Sequence, residues 1–255
     1  MSIRFGLFSD LHSSLPHAPQ RGASARTLED LKEGLSRFAQ QGVDFAVSLG
    51  DNLQPASDVS EQFEQFRSMI RLWGGYGFPV HAVMGNHEFS QLSHAQVLEL
   101  FQTDRTYYSF TLGGVRFVLL DTCYNPDGGH FSEDNFDWRY GIVPEAELAW
   151  LRELLGEKRR TFVFTHGNLY FDEDDPYAAW YRILNCEEIR ALLETSGCVE
   201  AVFQGHHHTF ADAVCGGIRY VNVPSPERSE AYTESDFPVV TVTEDGFLYD
   251  GRRLP

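Results

Sequence analysis

The chain has 255 residues, 42% of them hydrophobic and 22% charged, and carries a formal charge of −17 from 37 acidic and 20 basic side chains. That size and balance fit a globular α/β protein, expected as a single domain over 1–255 because no Pro/Gly/Ser-rich linker divides it. The acidic excess excludes a binder of duplex nucleic acid, which needs a basic footprint to displace counterions, and admits a small anionic substrate only where something cationic, such as bound metal, sits in the site.

Ile3 to Ser9 reads as a buried strand that ends at Asp10-Leu11-His12. No leader precedes it, and no apolar run reaches the roughly 18 residues of a membrane span, so a cytoplasmic location without a membrane partner is expected. Residues 13–24 form a loop. Ala25 to Gln41 predicts an amphipathic helix with Leu28, Leu31, Leu35 and Phe38 on one face and Gly42 as the stop. Asp44 to Leu49 is a second strand, ending in Gly50-Asp51-Asn52. Ser57 to Trp73 is a second helix, broken by Gly74, Gly75 and Gly77. A third strand, Pro79 to Val83, runs into Gly85-Asn86-His87-Glu88. Strands alternating with helices predict a parallel sheet, and ligands of such sheets collect beyond the carboxyl ends of the strands, where all three polar tips lie.

After a short helix around Leu92 to Phe101 the pattern changes. Tyr107 to Leu112, Gly113-Gly114 and Val115 to Asp121 predict a β-hairpin. A long loop follows, Thr122 to Val143, rich in rings: Tyr124, His130, Phe131, Phe136, Trp138 and Tyr140. Loops of that length commonly carry function. Pro144 opens a helix to about Leu155. Thr161 to Thr165 is a strand ending in His166-Gly167-Asn168. A second loop, Leu169 to Tyr181, mixes Asp172, Glu173, Asp174 and Asp175 with Tyr170, Phe171, Tyr177, Trp180 and Tyr181. A helix spans about Glu187 to Thr195, and Val199 to Phe203 is a strand ending in Gly205-His206-His207-His208. The tail holds short strands at Ile218 to Val223, Val239 to Thr243 and Phe247 to Tyr249. Cys123, Cys186, Cys198 and Cys215 lie apart without a CxxC pair and read as free thiols.

Five strand ends thus carry donors: Asp10 and His12; Asp51; Asn86 and His87; His166; His206 and His208. Singly, each is an ordinary turn or cap residue. Jointly they form a set of oxygen and imidazole donors without thiolates, suited to manganese, iron, zinc or nickel. The donors outnumber what one ion can use, and a carboxylate such as Asp51 can bridge two.

In that order, Asp10-x-His12, Gly50-Asp51, Gly85-Asn86-His87-Glu88, His166 and Gly205-His206-x-His208 resemble the signature blocks of the calcineurin-like metallophosphoesterase superfamily. The resemblance implies a four-layer α/β/β/α sandwich with a dimetal site at the carboxyl ends of the strands. It implies two divalent or trivalent ions, one held by Asp10, His12 and His208, the other by Asn86, His166 and His206, with Asp51 bridging. His87 would face the scissile phosphate as the catalytic acid. Two such ions can hold a bridging water as hydroxide at neutral pH and clamp both ends of an in-line displacement. Glu88 is expected to orient neighbouring groups rather than react.

The segments Tyr107-Tyr108-Ser109-Phe110, Arg116 to Asp121, Glu147 to Leu151 and Ala179-Trp180-Tyr181 are further similar to the manganese-dependent ADP-ribose/CDP-alcohol diphosphatase-like branch. The chain departs from that branch at Thr165-His166-Gly167-Asn168 and in a shorter region after Asp121. It lacks the tyrosine that purple acid phosphatases carry shortly after the aspartate of Gly50-Asp51, and the arginines of serine/threonine protein phosphatases. The expected function is hydrolysis of a phosphodiester or pyrophosphate bond in a small phosphorylated, nucleotide-like substrate. Alternatives are a phosphomonoesterase and a non-catalytic interaction module. Tyr124, Tyr170, Arg139, Arg182 and His207 are candidate substrate contacts, because rings can stack a base and guanidinium can meet a second phosphate. Nothing in the sequence bears on the oligomeric state.

Overall fold

The computed structural model describes residues 2–14, 25–170, 178–228 and 232–254. His17, most of the loop after His12, and Phe171, Asp172, Glu173, Asp174, Asp175 and Tyr177 of the second loop lie outside the described residues. In chain order the elements are β1 (Ile3–Phe8), α1 (Ala25–Gln41), β2 (Phe45–Ser48), α2 (Val59–Trp73), β3 (Val80–Ala82), α3 (His94–Phe101), β4 (Tyr108–Leu112) and β5 (Val115–Leu119). They continue with α4 (Glu145–Gly156), β6 (Thr161–Thr165), α5 (Ala178–Tyr181), α6 (Cys186–Ser196), β7 (Val199–Gln204), β8 (Ala211–Cys215), β9 (Ile218–Asn222), β10 (Val239–Thr243) and β11 (Gly246–Tyr249).

Two sheets stack face to face, ordered β11-β10-β1-β2-β3 and β4-β5-β6-β7-β9-β8. Their strands read as continuous apolar runs because both faces of each are covered, and the side-chain period of two sorts the residues. Phe5, Phe45, Phe117, Phe164 and Phe203 point between the sheets. Phe8 and Ala46 point out under α1 and α2, and Val118, Val163 and Val202 point out under α4 and α6. The result is the four-layer α/β/β/α sandwich.

Phe5 is the centre of the inner layer. It stacks on Phe45 at 5.1 Å and meets Phe117, Phe164 and Phe203 edge-on at 5.7, 5.6 and 5.7 Å. Such ring pairs add about 0.5–1.5 kcal/mol each beyond their buried area. On the outer face of the first sheet, the stripe Leu28, Leu31, Leu35 and Phe38 of α1 is buried as the periodicity predicts. Asp58 caps α2 by accepting a hydrogen bond from Glu61 N, which moves the helix start two residues past Ser57.

Both sheets are mixed rather than parallel. β1, β2 and β3 run parallel, as do β5, β6, β7 and β9, each joined through crossovers. In the second sheet the antiparallel members β4 and β8 are edge strands returned by two-residue turns, Gly113-Gly114 before β5 and Gly216-Gly217 before β9, and in the first β10 runs antiparallel between β1 and β11. β8 was not expected from its sequence: Ala-Asp-Ala-Val-Cys is a half-exposed edge with no strong alternation. Among the described residues no helix is long and apolar enough to cross a membrane. The tips of β1, β2 and β3 belong to one sheet and those of β6 and β7 to the other, so stacking the sheets brings all five together.

Candidate metal centre

Five of the donor residues hold left-handed backbone: Asp10 (φ 50°), His12 (43°), Asp51 (54°), His206 (68°) and His208 (66°). Non-glycine residues adopt that region rarely and at a cost of order 1–3 kcal/mol, so the surrounding structure must impose it. Hydrogen bonds tie the tips to one another. Asp10 N donates to Gly50 O (3.0 Å), His12 N to Asp51 O (3.0 Å) and Gly205 N to His166 O (3.2 Å). Gly85 is required by contact: a Cβ there would fall 2.3 Å from Asp51 Oδ1 and 2.6 Å from Asp51 N.

Each carboxylate uses one oxygen for the scaffold and leaves the other. Asp10 Oδ2 accepts from His206 N (2.9 Å) and Ser9 Oγ. Asp10 Oδ1 makes no hydrogen bond, although His208 Nε2 stands 3.2 Å away and His12 Nε2 3.9 Å. Asp51 Oδ1 accepts from His87 N (2.8 Å), while Asp51 Oδ2 lies between His166 Nε2 (3.4 Å) and His12 Nε2 (3.9 Å). His12 and His208 bring their Nε2 atoms within 3.1 Å of each other. His166 is aimed by its Nδ1, which donates to Leu49 O (2.8 Å) and leaves Nε2 facing Asn86 Oδ1 (3.2 Å). Orientation by the ring's other nitrogen is how metal-binding histidines are held.

These lone pairs converge on shared points instead of on donors, which is the arrangement a cation completes. Three overlapping groups have every ligand atom within 4.8 Å of the others: Asp10, Asp51, His166 and His206; Asp10, His12 and His208; and His12, Asp51 and His87. The donor set and its buried, unpartnered Asp10 Oδ1 fit a borderline or hard divalent cation. The electrostatics agree. Burial alone would raise Asp51, yet the His166 and His87 charges hold it well below the usual carboxylate range. Burial pushes His166 down, but Asp51 and then Asp10 outweigh it and bring it to about 10. Burial depresses His206 to about 3 and His12 to about 4. The carboxylates thus favour positive charge at His166, while burial keeps His12 and His206 in the neutral form that offers a lone pair.

Residues 3–210 match the calcineurin-like phosphoesterase family. This chain belongs to that family. It is 24% identical over 208 residues to a manganese-dependent ADP-ribose/CDP-alcohol diphosphatase from Oryza sativa, covering 66% of this chain and 64% of that protein. It is 25% identical over 232 residues to tartrate-resistant acid phosphatase type 5 from Mus musculus, covering 81% and 67%. The chain therefore spans about two thirds of the length of either curated relative. In fold it is similar to a dimetal phosphatase from Danio rerio, with a TM-score of 0.79 at 19% identity, covering 98% of this chain and 96% of that one. A purple acid phosphatase from yellow lupin seeds superposes with a TM-score of 0.63 at 15% identity, covering all of this chain and 53% of that one.

In this phosphoesterase Glu88 is a backbone clamp. Its carboxylate accepts from Gly85 N (2.7 Å), Asp51 N (2.9 Å) and Asn52 N (3.0 Å), locking two signature turns together. Asn52, at the start of the segment that carries tyrosine in purple acid phosphatases, donates its amide to Glu88 and accepts from Ser48 Oγ. His87 Nδ1 is buried without a partner, and the ring meets His12 edge-on at 4.5 Å. His207 turns from the ligand groups: its Nδ1 is 2.6 Å from Thr209 Oγ1 and its ring packs on Tyr181.

The described contacts of the other sequence candidates are with scaffold. Tyr124 packs on His130 at 4.4 Å, and Tyr170 packs on Tyr220 with the Arg190 guanidinium over it. Arg139 is bound to Asp137 (2.8 Å) and lies over Tyr140, and Arg182 bridges Asn168 through its backbone. Beside the centre stand residues that sequence reasoning did not select. Trp138 and Tyr181 pack on His206. Ser225 donates to Asp10 O (2.6 Å). Glu227 is raised by burial against the pull of His208 and His87. Pro224-Ser225-Pro226-Glu227 carries no local signal beyond that of a turn.

Proposed function

We propose that this chain is a dinuclear-metal hydrolase of phosphodiester or pyrophosphate bonds in a small, nucleotide-like substrate. The observation that carries the proposal is the position of Asp51 Oδ2 between His166 Nε2 and His12 Nε2. It supports the reading of Asp51 as the residue shared between a group formed by Asp10, His12 and His208 and another formed by Asn86, His166 and His206. When bound, two cations supply a water activated as nucleophile at neutral pH and positive charge against the phosphate oxygens.

The protein's own side chains do the rest. Glu88 fixes Gly85, Asp51 and Asn52, so the bridging oxygen and the His87 ring keep a constant separation. The His87 ring stands beside the centre, edge-on to His12 at 4.5 Å, and we assign His87 the proton given to a nonbridging phosphate oxygen or to the leaving group as charge develops. His207, Tyr124, Tyr170, Arg139 and Arg182 remain proposed substrate contacts, and Arg139 must release Asp137 to serve. The name of the rice relative, a diphosphatase, supports the pyrophosphate choice.

A phosphomonoesterase is the second reading, favoured by the similarity to a mouse acid phosphatase over 81% of the chain. Protein reconstituted separately with manganese, zinc, iron and cobalt separates the two. Faster cleavage of bis-p-nitrophenyl phosphate, cyclic AMP, ADP-ribose or CDP-choline than of p-nitrophenyl phosphate supports the proposal. A faster monoester favours the second reading, and no turnover of any of them sinks both.

A further inference from the structure

Trp138 sits in a tight helical turn, Trp138–Tyr140, of the loop between β5 and α4, and Tyr181 closes α5. Their rings are 5.5 Å apart. Both meet His206 edge-on at 5.2 Å, Trp138 at 80° and Tyr181 at 75°. With Asn86, His166 and His206 they line one cleft. That cleft encloses only about 10 Å³, room for one water and no ring, so a planar group could lie only across its mouth, on the outer faces of the walls.

Both rings keep accessible surface. Trp138 keeps 37% of its surface in water and Tyr181 is half-buried. Trp138 is also presented rather than loose: the Asp137 carboxylate accepts from Arg139 N (3.1 Å) and pairs with the Arg139 guanidinium, which pins the turn on both sides of the indole. While Arg139 is paired with Asp137, the corner offers flat π surface. It stands at the His206 end of the centre, whereas His87 packs on His12 at the other.

We infer that Trp138 and Tyr181 form the platform on which a planar aromatic substituent of the phosphoester, a nucleobase or an aryl group, stacks. The inference rests on the hydrolase reading above and adds the specificity residues to it. Stacking tolerates every base because every base has a π face, so discrimination is between ring and no ring, not among bases.

The test compares AMP with ribose 5-phosphate as inhibitors of chromogenic ester hydrolysis by metal-loaded protein. Wild type is expected to bind AMP about tenfold more tightly or better, the usual scale of aromatic–base stacking. Trp138→Ala and Tyr181→Ala bring the ratio close to one while ribose 5-phosphate affinity and metal content hold, and Trp138→Phe keeps most of it. Equal inhibition by the two compounds in wild type overturns the platform. So does a loss of both affinities together with metal, which would mean that the rings only brace His206. Direct titration of tryptophan fluorescence separates this from the hydrolase reading. If no ester is cleaved, AMP quenching present in wild type, absent in Trp138→Phe and not given by ribose 5-phosphate still supports the platform, and its absence removes it.

Discussion

Asp10, His12, Asp51, His206 and His208 all hold positive φ, whereas between Leu120 and Pro144 only Glu133 and Asp134 do among non-glycine residues. Strain concentrates on donor residues at the strand ends, whereas in the long loop it falls on two residues that the centre does not use. At the strand ends the carboxylate oxygens are shared out by hydrogen bonds, and Asp10 Oδ1 and His87 Nδ1 are left without partners. In the loop, polar groups are satisfied internally: Asp121 pairs with His130, Asn135 Oδ1 accepts from Ser132 N, and Asp127 Oδ1 accepts from Gly129 N. Strain and unmet lone pairs mark where a cation does the balancing. Saturated packing marks where the chain builds the walls beside the centre.

The largest expected effect comes from removing the shared oxygen's charge. Asp51→Asn keeps the shape and the hydrogen bond from His87 N but weakens the bridge between both donor groups. Turnover should fall by about 10³-fold or more, several kcal/mol of transition-state stabilisation, with metal content measured by elemental analysis reduced. Near-normal activity would break the comparison at its centre. Next come two neighbours at one tip. His87→Ala should lower kcat by about 10²–10⁴-fold, the usual contribution of a positioned acid, with metal content intact. Asn86→Ala should weaken metal retention first. Equal metal loss in both variants would place His87 among the ligands, where its distance to Asp51 and His12 alone would also put it.

The tips were legible in the sequence because their chemistry is local. Asp10-x-His12, Gly50-Asp51 and Gly205-His206-x-His208 each place donor types directly after an apolar strand, and a parallel arrangement collects such ends. Even Glu88 follows from its position beside Gly85-Asn86-His87, since a carboxylate three residues past a glycine turn can reach back to its amides. The aromatic residues were visible as a class, but not by role. Whether Trp138 or Tyr124 faces the centre depends on how the loop lies across His130, Phe89 and α5, which no spacing rule encodes. Tyr124 turns to His130, and Trp138 turns to His206. Ser225 and Glu227 were invisible for the same reason: β9 carries them back over the first sheet's tips from a distant part of the chain. β8 escaped because an exposed edge has no apolar period to read.

The loop's own anchor gives the smallest effect and the sharpest contrast. Both ring nitrogens of His130 face acceptors, Nε2 to Asp121 Oδ2 (2.7 Å) and Nδ1 to Phe131 O (2.7 Å), so both donate and the ring is charged. Burial lowers His130, but the Asp121 charge outweighs it and raises the ring above 6.5. Burial likewise opposes the lowering of Asp121 below 3.8, which His130 drives. A raised histidine stabilises the fold fully below its unfolded value of 6.5, and that contribution is lost as pH rises through the folded value. The lowered aspartate stabilises above 3.8 and loses its contribution as pH falls. The pair is therefore strongest between those limits and fades on the alkaline side. Two titratable groups face the pair. His94, stacked on His130 at 3.8 Å, is lowered by burial and then by the His130 charge, and Glu147 is raised well above the usual carboxylate range by burial and then by Asp121. Replacing His130 by glutamine should cost about 2 kcal/mol at pH 6, the scale of a hydrogen bond to a charged group, and less at pH 9. Urea midpoints at the two pH values measure it, with kcat at saturating metal unchanged. A cost equal at both pH values would make the ring neutral, and a fall in kcat would carry the catalytic centre into the loop.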